Sequence, residues 1–85
     1  MIWNLQIASR AKKALEKFPA KDQRLVVSAL EAMRTDPFSG NIKRLENERS
    51  VWRRRAGSYR IFFDVYPDTF TVDVVDIARR TSTTY

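Results

Sequence analysis

Four arginines within eight residues, Arg53, Arg54, Arg55 and Arg60, dominate the segment "VWRRRAGSYRIFF" from Val51 to Phe63. Guanidinium groups bind carboxylates and phosphates through charge-assisted, often bidentate hydrogen bonds. Held in place beforehand, they also stabilise negative charge as it develops in a transition state. The segment therefore suits the binding of an anion or a transfer reaction at phosphorus. Other chemistries are short of parts. The 85 residues include no cysteine and no histidine, which removes thiolate nucleophiles, the usual zinc ligands and the commonest general base. Asp, Glu, Lys, Tyr and Arg remain for any chemistry; a metal site made only of carboxylates stays formally open, but no metal and no cofactor is expected.

The turn inside the segment decides where these side chains point. Gly57-Ser58 fits a two-residue hairpin turn of type II′, in which glycine takes the first central position because positive φ is needed there. The register follows: Ala56 faces Tyr59, Arg55 faces Arg60, Arg54 faces Ile61, Arg53 faces Phe62 and Trp52 faces Phe63. Directly opposed residues share a sheet face. One face then carries Trp52, Arg54, Ala56, Tyr59, Ile61 and Phe63, an apolar set in which Arg54 alone must carry its head group past the sheet edge. The other face carries Arg53, Arg55, Arg60 and Phe62. Like charges opposed across strands are destabilising, so a fold has no use for this convergence and an anion is expected on it. A basic strand can also serve as a solvated gatekeeper against edge-to-edge aggregation, but that role does not require convergence on one face beside an aromatic on which a base can stack.

The net charge of +6 is concentrated here. From Lys43 to Arg60, seven basic residues (Lys43, Arg44, Arg49, Arg53, Arg54, Arg55 and Arg60) stand against two acidic ones, Glu46 and Glu48. Such charge favours an anionic partner, whether nucleic acid, an acidic protein or a membrane surface, and does not choose among them; Lys43, Arg44, Arg49, Arg54, Phe62 and Arg79 are the expected contacts where the partner is RNA or the ribosome. Arg79 and Arg80 can join the basic face only if the last strand neighbours this hairpin. Tyr85, after "RRTSTT", has no periodic apolar neighbours and is either a site residue or part of a frayed tail.

The elements that must position these residues are legible in the periodicity. Met1 to Ile7 alternates, with Trp3, Leu5 and Ile7 on one side, and reads as a half-buried strand. Ser9 is placed to cap a helix carrying Ala11, Ala14, Leu15 and Phe18, which Pro19 ends. A second helix from about Asp22 presents Leu25, Val26, Ala29, Leu30 and Met33 up to Thr35-Asp36-Pro37. "DPFSGNIKRL" reads as a loop. Three strands follow, Val51 to Ala56, Tyr59 to Tyr66 and Phe70 to Ala78, with a turn at Pro67-Asp68. The expected fold is α+β, β-α-α-β-β-β, with a helical hairpin packed on a mainly antiparallel four-stranded sheet. Trp3, Trp52, Tyr59 and Phe63 are read as core. Residues 1–85 make one domain, too small for a multi-domain enzyme. Hydrophobic residues at 44% and charged residues at 31% fit a globular chain, and no apolar run approaches a bilayer span, so the expected location is the cytoplasm.

Three stretches carry a family resemblance: "DPFSGNIKRL", then "VWRRRAGSYRIFFDV", then a valine-rich strand ending "IARRTSTTY". Together they resemble the RelE/ParE toxin superfamily of bacterial type II toxin-antitoxin systems, over nearly the whole chain. Members similar to RelE are ribosome-dependent endoribonucleases that cut messenger RNA; those similar to ParE instead poison DNA gyrase. The resemblance implies a metal-free cleavage in which the ribose 2′-hydroxyl attacks the adjacent phosphate, leaving a 2′,3′-cyclic phosphate and a 5′-hydroxyl. It places Arg53 and Arg55 at paired basic positions, Arg60 at the arginine of "G-x-Y-R", Arg80 at the arginine after the last strand and Tyr85 at the terminal tyrosine. Arg60 and Arg80 are then the expected phosphate clamp, with Arg53 and Arg55 assisting. Tyr85 is the candidate for proton transfer, because arginine stays protonated. The implied partners are the ribosome, messenger RNA and a cognate antitoxin, an acidic segment suited to a basic surface. A gyrase poison without hydrolytic activity and a plain basic RNA-binding module are the competing expectations.

Overall fold

The computed structural model describes residues 2–46 and 50–79. The elements run β1 (Asn4–Ile7), α1 (Ser9–Glu16), α2 (Ala20–Thr35), β2 (Asn41–Arg44), β3 (Trp52–Ala56), β4 (Tyr59–Tyr66) and β5 (Thr71–Arg79), with a 3-10 turn at Pro67–Thr69 before β5. They form one sheet in the order β1-β5-β4-β3-β2, in which β1 runs parallel to β5 and every other pairing is antiparallel. The sheet has five strands rather than the expected four. The additional one, β2, falls within the stretch read as a loop. Its four residues offer a single apolar group, Ile42, so alternation cannot register. It is held by pairing with β3, Lys43 opposite Arg53 and Ile42 opposite Arg54.

The helical hairpin begins and ends differently from the sequence expectation. Ser9 is the first helical residue, not the cap; Ala8 occupies the cap position without a side-chain hydrogen bond. Its backbone N–H instead bonds the Val74 carbonyl at 2.9 Å, tying the start of α1 to β5. Pro19 precedes α2 and caps it, so that helix starts at Ala20, two residues earlier than read. Gln23 closes the hairpin: its Nε2 donates to the Phe18 carbonyl at 2.9 Å and to that of Glu16 at 3.3 Å, serving carbonyls that the end of α1 leaves without helical partners.

Both helices lie on one face of the sheet, and the core forms between the layers. Val26, Leu30 and Met33 of α2 and Ala11 of α1 pack on Ile61 and Phe63 of β4 and on Val72, Val74 and Ile77 of β5. Trp3, Leu5, Ile7 and Trp52 close its margins, part-buried. Truncating a fully buried aromatic such as Phe63 in a core this small costs about 3–5 kcal/mol, a large share of the stability of a small domain.

The β3–β4 hairpin adopts the register that the turn dictates, with Ala56 opposite Tyr59, Arg55 opposite Arg60 and Arg53 opposite Phe62. Gly57 has φ +59° while Ser58 keeps a negative φ, the combination a type II′ turn needs. Helix α2 braces the tip: a Cβ at Gly57 would lie 2.5 Å from Leu25 Cδ2. Beside it, the Tyr59 hydroxyl donates to Asp22 Oδ2 at 2.7 Å, joining the first turn of α2 to the strand that carries Arg60.

That hydrogen bond raises the Tyr59 pKa above its ordinary value, with burial and the Asp22 charge adding and Arg79 opposing. A phenol whose pKa is higher folded than unfolded contributes stability below the unfolded value, near 10, and loses it as the pH rises through the folded one. Urea titrations should therefore show stability falling above about pH 10, and Tyr59→Phe should remove most of that alkaline loss while being less stable than the parent at neutral pH.

Candidate functional site

Alternation along β3 and β4 sends Arg53, Arg55, Arg60 and Phe62 to the face away from the helices. Edge strand β2 adds Lys43 from the side. These five residues and Leu45 line a cleft of about 170 Å³, the volume scale of one phosphate with part of its sugar. The floor is Phe62, 8% exposed, flanked by Arg53, also 8% exposed. Phe62 thus lies under the cleft as its base instead of standing free as an open stacking platform.

The cleft concentrates like charge. Arg55 and Arg60 are directly opposed, and such pairs place their Cβ atoms only about 4.5–5.5 Å apart. The Nε–H groups of both are buried and, among the described residues, have no hydrogen-bond acceptor. Buried donors are rarely left unpaired, since each costs about 1–3 kcal/mol. No carboxylate of the described residues forms an ion pair with either arginine. A bound oxyanion would relieve the repulsion and the unsatisfied donors together.

Not every expected residue joins this cleft. Arg54 lies on the helix side, where its Nη1 donates to the Ser39 carbonyl at 3.2 Å and to Ser39 Oγ at 3.1 Å. Its guanidinium packs under Gly40, where a Cβ would come within 2.8 Å of Cζ and φ is +78°. Arg54 therefore secures the α2–β2 connection, and its head group stays inside the fold where the sequence reading carried it past the sheet edge. Arg44 is opposite Trp52 and so on the helix side as well, with its guanidinium carbon 5.9 Å from the Trp52 ring centroid. β5 does neighbour β4, the condition set for Arg79. Yet Arg79 pairs with Tyr59, a core-facing residue, and so projects from the opposite face. Strand parity thus places Arg44, Arg54 and Arg79 across the sheet from the cleft, and the structure does not gather these three with the cleft arginines. Arg49, Arg80 and Tyr85 lie outside the described residues. Leu45, which the sequence reading passed over, lines the cleft; a single leucine beside a charge run gives no periodic signal.

Two substitutions separate the roles. Inorganic pyrophosphate, as a probe of the cleft, is expected to raise the Tm of the unaltered protein; Arg54→Ala should cost about 1–3 kcal/mol, a drop of several degrees in Tm, yet show the same rise. Arg60→Ala should leave the unliganded protein at least as stable, because a like-charged cross-strand pair is removed, and abolish the pyrophosphate-induced rise in Tm. Thermal melts with and without pyrophosphate check both.

Comparison with known proteins agrees with this architecture. The family model described as the ParE toxin of the type II toxin-antitoxin system parDE matches residues 5–83. A Methanocaldococcus jannaschii protein provisionally named toxin RelE1 is 29% identical over 83 residues, covering 94% of this chain and 92% of its own length. Among solved structures, the fold is similar to a chain of the archaeal RelE-RelB complex of Pyrococcus horikoshii, with TM-score 0.82, 19% identity, and 98% of this chain and 100% of that chain covered. It is also similar to the RelBE2 toxin-antitoxin complex of Mycobacterium tuberculosis, with TM-score 0.83, 21% identity and coverage of 94% and 93%. The isolated Escherichia coli RelE toxin gives TM-score 0.78 at 17% identity, covering 95% of this chain and 87% of that one. Among the described residues no helix is long and apolar enough to cross a membrane. With the match running through nearly every element that builds the cleft, the chain belongs to the RelE/ParE family of type II toxin-antitoxin toxins.

Proposed function

We propose that this toxin is a ribosome-dependent endoribonuclease that cleaves messenger RNA in the arginine cleft. The observation that carries the reading is the pair of buried guanidinium Nε–H groups of Arg55 and Arg60, without an acceptor among the described residues, on side chains that line a cleft of one-phosphate size. In the proposed reaction the ribose 2′-oxygen forms a bond to the neighbouring phosphorus while the bond to the 5′-oxygen breaks. The products are a 2′,3′-cyclic phosphate and a 5′-hydroxyl, with the proton of the 2′-hydroxyl leaving and one arriving on the 5′-oxygen. Negative charge builds on the non-bridging oxygens, where Arg55 and Arg60 would donate and Arg53 and Lys43 would hold flanking phosphates.

Arginine and lysine side chains have no lone pair to offer a metal while protonated, so the cleft suits catalysis by fixed positive charge. Proton transfer is assigned to Tyr85 and a second clamp to Arg80, both from the family resemblance. Lys43, the lysine of the cleft, stands as the alternative donor to the leaving oxygen. A cleft of about 170 Å³ holds little of an RNA strand, and the ribosome would supply orientation worth several powers of ten in rate. A cognate antitoxin is proposed as the partner; two of the structural neighbours are toxin-antitoxin complexes, and an acidic segment would neutralise the cleft.

The family-model match to ParE favours a second reading, a gyrase poison that cleaves nothing itself. Primer extension on a translating extract separates the two. Codon-positioned cuts that need both the ribosome and Arg60, and that vanish on naked RNA, are expected. Intact messenger together with stoichiometric inhibition in a supercoiling assay would transfer the assignment to gyrase.

A further inference from the structure

The strand register turns the face away from the helices into a map. One rung reads Asn41, Arg55, Arg60 and Ala78; the next reads Lys43, Arg53, Phe62 and Asp76; a third carries Asp64, Asp73 and Gln6. The sign of the charge reverses along the strands. Asp64 and Asp73 are directly opposed, itself an unfavourable arrangement of like charges, and neither forms an ion pair with a described residue. Asp64 accepts a hydrogen bond from the Val51 N–H at 2.7 Å, which fixes its carboxylate at the rim. Residues two apart on a strand are separated by about 6.6 Å, within the Debye length of about 8 Å at physiological salt. A phosphate chain that fills the cleft and continues toward β1 therefore meets two fixed negative charges at its next step. Asp76 flanks the cleft on its β5 side, with Oδ1 accepting from the Ile77 N–H at 2.9 Å.

On the face away from the helices, strand β2 with Asn41 and Lys43 and the hairpin tip at Gly57-Ser58 place no carboxylate among the described residues; Glu46 follows the end of β2, and Asp22 meets the tip from the helix side. We propose that Asp64 and Asp73 set the path of the RNA, so that the strand crosses from the β2 edge over Arg53, Arg55 and Arg60 to the hairpin tip and is turned away from β1. The proposal rests on the RNA-cleaving reading above and adds to it a determinant of footprint and direction. Contacts end after a few nucleotides, so lengthening the RNA leaves the affinity unchanged.

The test uses non-cleavable 2′-O-methyl RNA, a trinucleotide and a dodecanucleotide, in salt titrations of binding. The unaltered protein should give the same salt slope for both lengths. Asp73→Lys should steepen the slope for the dodecanucleotide alone, by about 0.7 for each additional phosphate that the protein neutralises. Because the chain has no cysteine, single thiols can carry a photo-cross-linker. Asn41→Cys should cross-link the dodecanucleotide; Gln6→Cys should do so only when combined with Asp73→Lys. Arg60-dependent binding in which Gln6→Cys cross-links as well as Asn41→Cys, or in which Asp73→Lys changes neither slope, overturns the path while leaving the RNA reading intact. Absence of any Arg60-dependent binding removes the RNA reading and the path together.

Discussion

A two-residue turn governs this molecule. Gly57-Ser58 fixes which residues of β3 and β4 oppose one another, and because side chains alternate and opposed residues share a face, a slip of one residue between the two strands would put Arg53 and Arg55 on the same face as Ile61 and Phe63. The arginine cleft and the hydrophobic core are thus consequences of the same register. Leu25 against Gly57 and the Tyr59–Asp22 hydrogen bond hold the tip where that register is set. The apolar face also supplies the means to tolerate the charged one: burial of Tyr59, Ile61 and Phe63 offsets the repulsion of Arg55 and Arg60 on the reverse of the same strands.

The three successive arginines divide by parity. Arg53 and Arg55 line the cleft, while Arg54 between them turns inward and secures the loop before β2 through Ser39 and Gly40. A run that looks uniform in sequence contains two unrelated functions. Arg54 stabilises the fold through its hydrogen bonds to Ser39; Arg53 and Arg55 direct their charge to the opposite face of the sheet. Net charge cannot separate them, but strand register and hydrogen-bond partners can.

What is legible in the sequence follows the distance over which its physics acts. The hairpin register is readable because a two-residue turn and strict alternation are local, and the α2 core stripe is readable from its 3.6-residue period. Strand β2 is not, because four residues with one apolar side chain carry no periodic signal and only pairing with β3 makes them a strand. The face occupied by Arg79 depends on its opposition to Tyr59 twenty residues away, and the carboxylate rung depends on Asp64 meeting Asp73 across a bulge at Phe62/Phe63. Neither pairing can be read from neighbours in sequence. The cap of α1 is displaced from Ser9 to Ala8 because the Ala8 N–H is used by Val74, a tertiary contact that overrides a local capping preference.

The place of β5 gives the fold an order in time. It is the last of the described strands in sequence, yet it stands between β1 and β4 in the sheet, and it contributes Val72, Val74 and Ile77 to the core. A nascent chain that has emerged only as far as Tyr66 can close the β3–β4 hairpin and pair β2, but β1 then has no neighbour and the helices have half a surface to pack on. Joining β1 to β5 closes a loop of more than sixty residues, the costliest ordering step in the molecule, and nothing rewards it before residues 71–79 exist. The basic cleft therefore acquires a rigid backing only once residues 71–79 have left the ribosome, and a partly made toxin carries the arginines without the platform that aligns them.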